Sequence, residues 1–251
     1  MSSYKNKNTK IYYEIYSQGN HSGTLILIHD NGQSSRIFDS EIKFYSSYFR
    51  TITVDLSGHG KSPATKDSEN NFWVNNAIAI SEMCMKNKIN KVSVIGLGGG
   101  GLVAMNMSLL FPDLVKGIMA ESFPGIEPDM NYVNSIVHYR DRAKTSDAGS
   151  IFQSMNGSGW KKILDADTAM LESFIEDGGS YFHDDPGKIN CPVLLAGSAV
   201  YDLVPDMETR LKDSVSSFRR AQVHLFSSGK YPLIITKNHE FRTVSLNYLM
   251  D

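Results

Sequence analysis

Short apolar runs and longer amphipathic stretches alternate along most of the chain. The runs at 24–29, 50–55, 91–96, 116–120, 192–197 and 222–226 are nearly continuous in apolar residues. That is the pattern of strands buried on both faces of a sheet. The run at 10–17 alternates apolar and polar positions, as a half-buried or antiparallel strand does. Helical spacing covers 71–88, through Phe72, Ile78, Met83 and Met85, and 102–111, which Pro112 stops. It returns over 232–250, through Leu233, Ile234, Phe241, Val244, Leu246 and Leu249. Strands alternating with helices predict right-handed crossovers and a mainly parallel central sheet flanked by helices, an α/β fold.

The alternation stops between 125 and 186. That stretch has helical periodicity instead, first through Met130, Val133, Ile136 and Val137, then through Leu164, Met170, Leu171, Phe174 and Ile175. About 60 residues is too long for a connection without structure. Residues 125–186 therefore read as a helical cap insertion over the carboxyl edge of the sheet, and 1–124 with 187–251 as the core that carries it. With 251 residues, 41% hydrophobic and 21% charged, the chain can bury one sizeable core. Its formal charge of -2 offers no basic surface for nucleic acid. No apolar run approaches the roughly 20 residues of a membrane span. The polar start, MSSYKNKNTK, lacks the apolar region of a secretory signal. Cys84 and Cys191 make neither a metal-ligand spacing nor a disulfide framework. The expectation is a cytoplasmic protein with reduced thiols, a small-molecule partner, and no metal, cofactor, nucleic-acid or membrane partner. An exposed apolar face on the insertion would allow a homodimer.

In open parallel sheets chemistry collects at the carboxyl ends of the strands. The segments there are His29-Asp30-Asn31-Gly32, Asp55-Leu56-Ser57-Gly58-His59-Gly60-Lys61-Ser62 and Gly96-Leu97-Gly98-Gly99-Gly100-Gly101. Later come Asp202-Leu203-Val204-Pro205 and Gly229-Lys230-Tyr231-Pro232. In order and spacing, over nearly the whole chain, this series resembles the α/β-hydrolase superfamily, in particular its small cap-bearing members. The resemblance implies an oxyanion loop after 24–29, a nucleophile elbow of G-x-S-x-G type after 91–96, an acid at Asp202 and a base at Lys230. The backbone N–H groups of Asn31 and Gly99 would form the oxyanion hole.

The departures decide the function expected. Gly98 stands at the nucleophile position and Lys230 at the histidine position, so only Asp202 of the triad is retained. Asp30 stands where a glycine ordinarily follows the histidine of the oxyanion loop. Losing nucleophile or base alone costs such a triad about 10⁶ in turnover. A lysine base at neutral pH would need its pKa lowered by about three units, roughly 4 kcal/mol, and a neighbouring Asp202 carboxylate would act the other way. The residues therefore point to a degenerate hydrolase that binds a small anionic or ester-like molecule without hydrolysing it. Lys230 and the elbow amides would hold the anion, and the missing side chain at Gly98 would open room beneath the insertion.

Two alternatives remain open. One is an atypical hydrolase with a rewired site built on Lys230, Asp202, an activated water and the oxyanion hole. The other is dinucleotide binding, because 96–101 also fits G-x-G-x-x-G and Glu121 stands where a ribose-binding acid would be. His29 and His59 read as loop-holding residues, His239 as a surface helix residue, and Ser122 as a loop-packing residue.

Overall fold

The doubly buried runs lie side by side in one sheet because each presents apolar side chains to both faces. The computed structural model describes residues 2–5, 9–19, 21–64, 72–200, 203 and 206–250. The strands are β1 (Ser2–Lys5), β2 (Lys10–Tyr16), β3 (Thr24–Ile28), β4 (Arg50–Asp55), β5 (Val92–Leu97), β6 (Val115–Glu121), β7 (Val193–Ser198) and β8 (Ala221–Phe226). Their spatial order is β1-β2-β4-β3-β5-β6-β7-β8. Pairing is parallel from β4 to β8 and antiparallel at β1–β2 and β2–β4. Along β3, Ile26 and Ile28 enter one core cluster while Leu25 and Leu27 enter the other, the period-two division of a strand covered on both sides.

The helices are α1 (Ile42–Tyr45), α2 (Phe72–Lys86), α3 (Gly99–Leu110), α4 (Met130–Lys144), α5 (Gly149–Asn156), α6 (Trp160–Glu176), α7 (Met207–Val215), α8 (Leu233–Thr236) and α9 (Asn238–Met250). Three features differ from the sequence reading. β1 was not predicted, because its polar residues carry no apolar signal and it is held at the sheet edge by β2 alone. α1 and α7, of four and nine residues, are too short to show a period. The closing helix is two, separated at Lys237. No helix among the described residues is long and apolar enough to cross a membrane.

Between β6 and β7 the chain is helical, as α4, α5 and α6. This segment meets the loops at the carboxyl ends of the strands. Asn156 of α5 donates to the Gly32 carbonyl at 2.9 Å and accepts from the Gly60 amide at 3.1 Å. Ser34 donates to the Met155 carbonyl at 2.9 Å. The segment buries Val133, Ile136, Leu171 and Phe174 in one core cluster and Phe152, Met155 and Leu164 in the other. Sheet and helical segment thus share their cores. Ile26, at the centre of the sheet and fully buried, tests this arrangement: Ile26→Ala should lower the unfolding free energy by about 2–5 kcal/mol. Urea denaturation would show it as a lower midpoint at unchanged slope.

Candidate functional site

The turn from β5 into α3 sets the geometry. Gly98 has φ 47° and ψ -116°, in the left-handed region where glycine is at ease and other residues are strained. Its amide donates to the Glu121 carbonyl at 2.8 Å, and its carbonyl accepts from Gly101 at 2.9 Å. α3 starts at once and runs close against β3: a Cβ at Gly100 would meet the carbonyl oxygens of Ile28 and His29. This close approach brings the oxyanion loop beside the elbow.

Asp30, in that loop, fills the position above Gly98. Its Oδ1 accepts from the Gly99 amide at 2.6 Å, and its Oδ2 accepts from the Tyr231 hydroxyl at 2.8 Å. The Asn31 amide also acts on this carboxylate. Asp30 therefore occupies the Gly99 amide of the expected oxyanion hole with a carboxylate of its own. A Cβ built at Gly98 would fall on the same carboxylate. The space expected from the missing nucleophile side chain is taken by Asp30, and the Gly99 amide is not open to an anionic ligand. Gln33 completes the arrangement: its Oε1 accepts from the Asp30 amide at 3.4 Å and its Nε2 donates to the Tyr231 oxygen at 3.3 Å.

The other sequence-derived positions are distributed differently. Asp202 lies outside the described residues. Lys230 is exposed, and its carbonyl accepts from the Thr236 hydroxyl. The expected cradle of Lys230 and elbow amides is thus not assembled around an open pocket; the neighbouring Tyr231 is the residue that reaches inward. Glu121 is fully buried and accepts from the Leu233 amide at 2.5 Å, at the start of α8. It is not available to a ribose, which removes the structural basis of the dinucleotide alternative. His29 spans its own loop and the next, donating through Nδ1 to the Asp30 carbonyl at 2.8 Å and accepting at Nε2 from the Leu56 amide at 2.9 Å. Burial lowers its pKa to about 4, so the ring is neutral. His59 faces the Ser57 carbonyl through Nδ1 at 2.9 Å. Its Nε2 lies 2.9 Å from the Gly32 amide and 3.3 Å from Asp167 Oδ1.

A buried ion pair locks the helical segment onto this loop. Arg140 of α4 donates to Asp167 of α6 at 2.6 Å and to Thr168 at 2.8 Å. Asp167 accepts at 2.7 Å from the Asn31 side chain, whose Oδ1 accepts from Trp73 Nε1 at 3.1 Å. Both charged residues are nearly inaccessible, at 2% and 5% exposure. Opposite charges at core-facing helical positions, Arg140 after Val133 and Ile136 and Asp167 between Leu164 and Leu171, were a signal that the sequence reading passed over. Tyr231, Gln33 and Trp73 carried no motif of their own.

Two chambers flank the carboxylate and share Asp30, Asn31, Ile136 and Arg140 in their walls. Their volumes are about 10 and 50 Å³. The first has room for about one water molecule, and both are far below the roughly 300–1,000 Å³ of ordinary ligand pockets. A larger cavity of about 560 Å³ lies away from the elbow, between the Gly125–Asp129 loop and α7.

The known proteins with which the chain compares agree with this topology. The family model of the alpha/beta hydrolase fold matches residues 23–149. The chain belongs to the α/β-hydrolase fold family. Pimeloyl-[acyl-carrier protein] methyl ester esterase of Wigglesworthia glossinidia brevipalpis is 35% identical over 104 residues, which is 41% of this chain and 38% of that protein. The match thus spans well under half of the relative's length. The enol-lactonase from Burkholderia xenovorans LB400 aligns over 97% of both chains with TM-score 0.73 and 17% identity. A serine-to-glycine variant of the N-acyl homoserine lactonase AidH, complexed with N-hexanoyl homoserine lactone, aligns over 100% of this chain and 97% of its own. Its TM-score is 0.77 at 19% identity. At these identities the solved structures share the fold.

Two predictions follow from the site. Gly98→Ser should destabilise the chain by about 1–3 kcal/mol, because the new side chain overpacks the Asp30 carboxylate. Asp30→Gly should remove most of that cost, and a double-mutant cycle by denaturation would show the coupling. The two buried carboxylates should also respond to pH with opposite signs. Burial pushes the Asp30 carboxyl up to about 6, against the donors from Gly99, Tyr231 and Asn31. A group that holds its proton more tightly when folded adds stability that is complete below about 3.8 and is lost as pH rises through about 6. Relative to Asp30→Asn, the wild type should gain on the order of 3 kcal/mol from pH 7.5 to 4. Burial acts to raise Asp167 as well, but the Arg140 charge and hydrogen bonds from its neighbours outweigh it and hold this carboxyl well below the usual range. Its stabilisation is present above about 3.8 and fades as pH falls below that. Parallel stability–pH curves for the wild type and Asp30→Asn would contradict the assignment.

Proposed function

We propose that this chain is a degenerate α/β-hydrolase that binds a small molecule beneath its helical segment and does not hydrolyse it. The observation that carries this reading is the Asp30 carboxylate on the Gly99 amide, directly above a Gly98 that has no nucleophile. Acyl transfer requires an attacking oxygen and donors free to receive the developing oxyanion. Here the attacking side chain is absent and the donors already hold a negative charge, which would repel a second one at the same place. The small volumes of the chambers, about 10 and 50 Å³, add a steric reason, since an ester of ordinary size needs more room. The lactonase variant with glycine in place of a serine and a bound lactone supports the idea that this fold can hold a ligand without that serine. Two free, buried cysteines suit a reducing, cytoplasmic setting.

A second reading has the relatives' names in its favour: an esterase or lactonase that activates water with a rewired site. In that case Asp30 would be the base, because its pKa of about 6 lies near working pH.

Turnover of p-nitrophenyl acetate and butyrate at pH 7.5 separates the two readings. The wild type, Asp30→Asn and Lys230→Ala should all run at the buffer background. A wild-type rate at least 10³ above background, abolished in Asp30→Asn, would establish the rewired hydrolase and overturn the non-hydrolytic reading.

A further inference from the structure

The polar groups lining the two chambers are unevenly matched. The donors nearest Asp30 and Asp167 already have acceptors inside the protein. The Gly99 amide and the Tyr231 hydroxyl donate to Asp30, the Asn31 side chain to Asp167, Trp73 Nε1 to Asn31, and Arg140 to Asp167 and Thr168. Acceptor capacity remains on Asp30, since each carboxylate oxygen has two lone-pair sites. Arg140 acts on Asp30 as a cation, and its guanidinium is already bonded to Asp167. Asp30, Asp167 and Arg140 together carry two negative charges and one positive, which leaves one negative charge. The ring of His29 is neutral, and His59 Nε2 meets the Gly32 amide at 2.9 Å and Asp167 Oδ1 at 3.3 Å. A buried carboxylate is costly and favours a cation that can reach it. The walls fit such a guest: aromatic rings line both chambers, Trp73, Tyr132 and Tyr181 in one and Tyr139, Phe152 and Tyr231 in the other. Aromatic faces attract ammonium groups.

We propose that the chambers beside Asp30 form a binding site for a small primary ammonium ion, whose N–H groups donate to the Asp30 carboxylate and whose few carbons lie against the aromatic walls. This rests on the non-hydrolytic reading and names its ligand class. It also replaces the anionic ligand expected from the sequence, because the amides that would have held an anion are bonded to Asp30. The chamber of about 50 Å³ limits the guest to a few heavy atoms.

The probe is ethylammonium chloride, titrated into the full chain at constant ionic strength and followed by calorimetry and thermal unfolding. Sodium acetate and ethanol serve as the anionic and neutral matches. Ethylammonium should bind saturably and raise the unfolding temperature, while acetate and ethanol do neither. Asp30→Asn should weaken ethylammonium binding at least tenfold. Ile136→Trp, which fills the shared wall and keeps the carboxylate, should do the same, so the test survives if one variant fails to fold. No saturable binding, equal binding by a folded Asp30→Asn, or acetate binding as well as ethylammonium would each overturn the assignment. Ester turnover in a protein that still binds ethylammonium would sink only the non-hydrolytic reading; background turnover without ethylammonium binding would sink only the ligand class.

Discussion

The contact between the Asp30 carboxylate and the amides at the start of α3 governs the site. It draws the loop after β3 against the loop after β5, orients Tyr231 and Gln33, and divides the space beneath the helical segment into two small chambers. In a hydrolase these amides wait for a charge that forms during reaction. Here a carboxylate of the protein itself accepts from the Gly99 amide.

The helical segment depends on a second electrostatic element. Arg140 and Asp167 come from different helices of that segment, and Asn31 ties them to the loop that carries Asp30. Removing both charges from water is expensive, and an ion pair of this kind is weak evidence for stability by itself. Its hydrogen bonds to Thr168 and Asn31 fix where α4 and α6 sit over the sheet. Registry is therefore the role that fits the pair. The position of α4 in turn sets Ile136 and Arg140 in the walls of both chambers.

Much of this was legible in the residues. Strands buried on both faces announce themselves as apolar runs, and the order of loops at their carboxyl ends pointed to the fold. Gly98 was readable as a turn without a nucleophile. The position of the Asp30 side chain was not, because its contact with Gly99 crosses 69 residues and belongs to no local pattern. Tyr231 was missed for a related reason: motif spacing fell on Lys230, while the irregular path of the loop turns the next side chain inward. Arg140 and Asp167 were hidden in plain periodicity, since a search for apolar stripes skips the charged residue that interrupts one. Asp202 lies outside the described residues, and its relation to Lys230 stays with the resemblance.

The elbow itself has a wider consequence. Gly98 keeps the left-handed backbone of a nucleophile turn although no nucleophile is there. The path is dictated by the packing of α3 against β3, where Gly100 leaves no space for a side chain. Architecture maintains the turn whatever the reactivity of the residue that occupies it. The scaffold thus separates the inheritance of shape from the inheritance of activity. An ancestor and a descendant on this fold can differ in a handful of side chains while sharing every bend of the main chain, and traffic between catalyst and receptor can run in either direction.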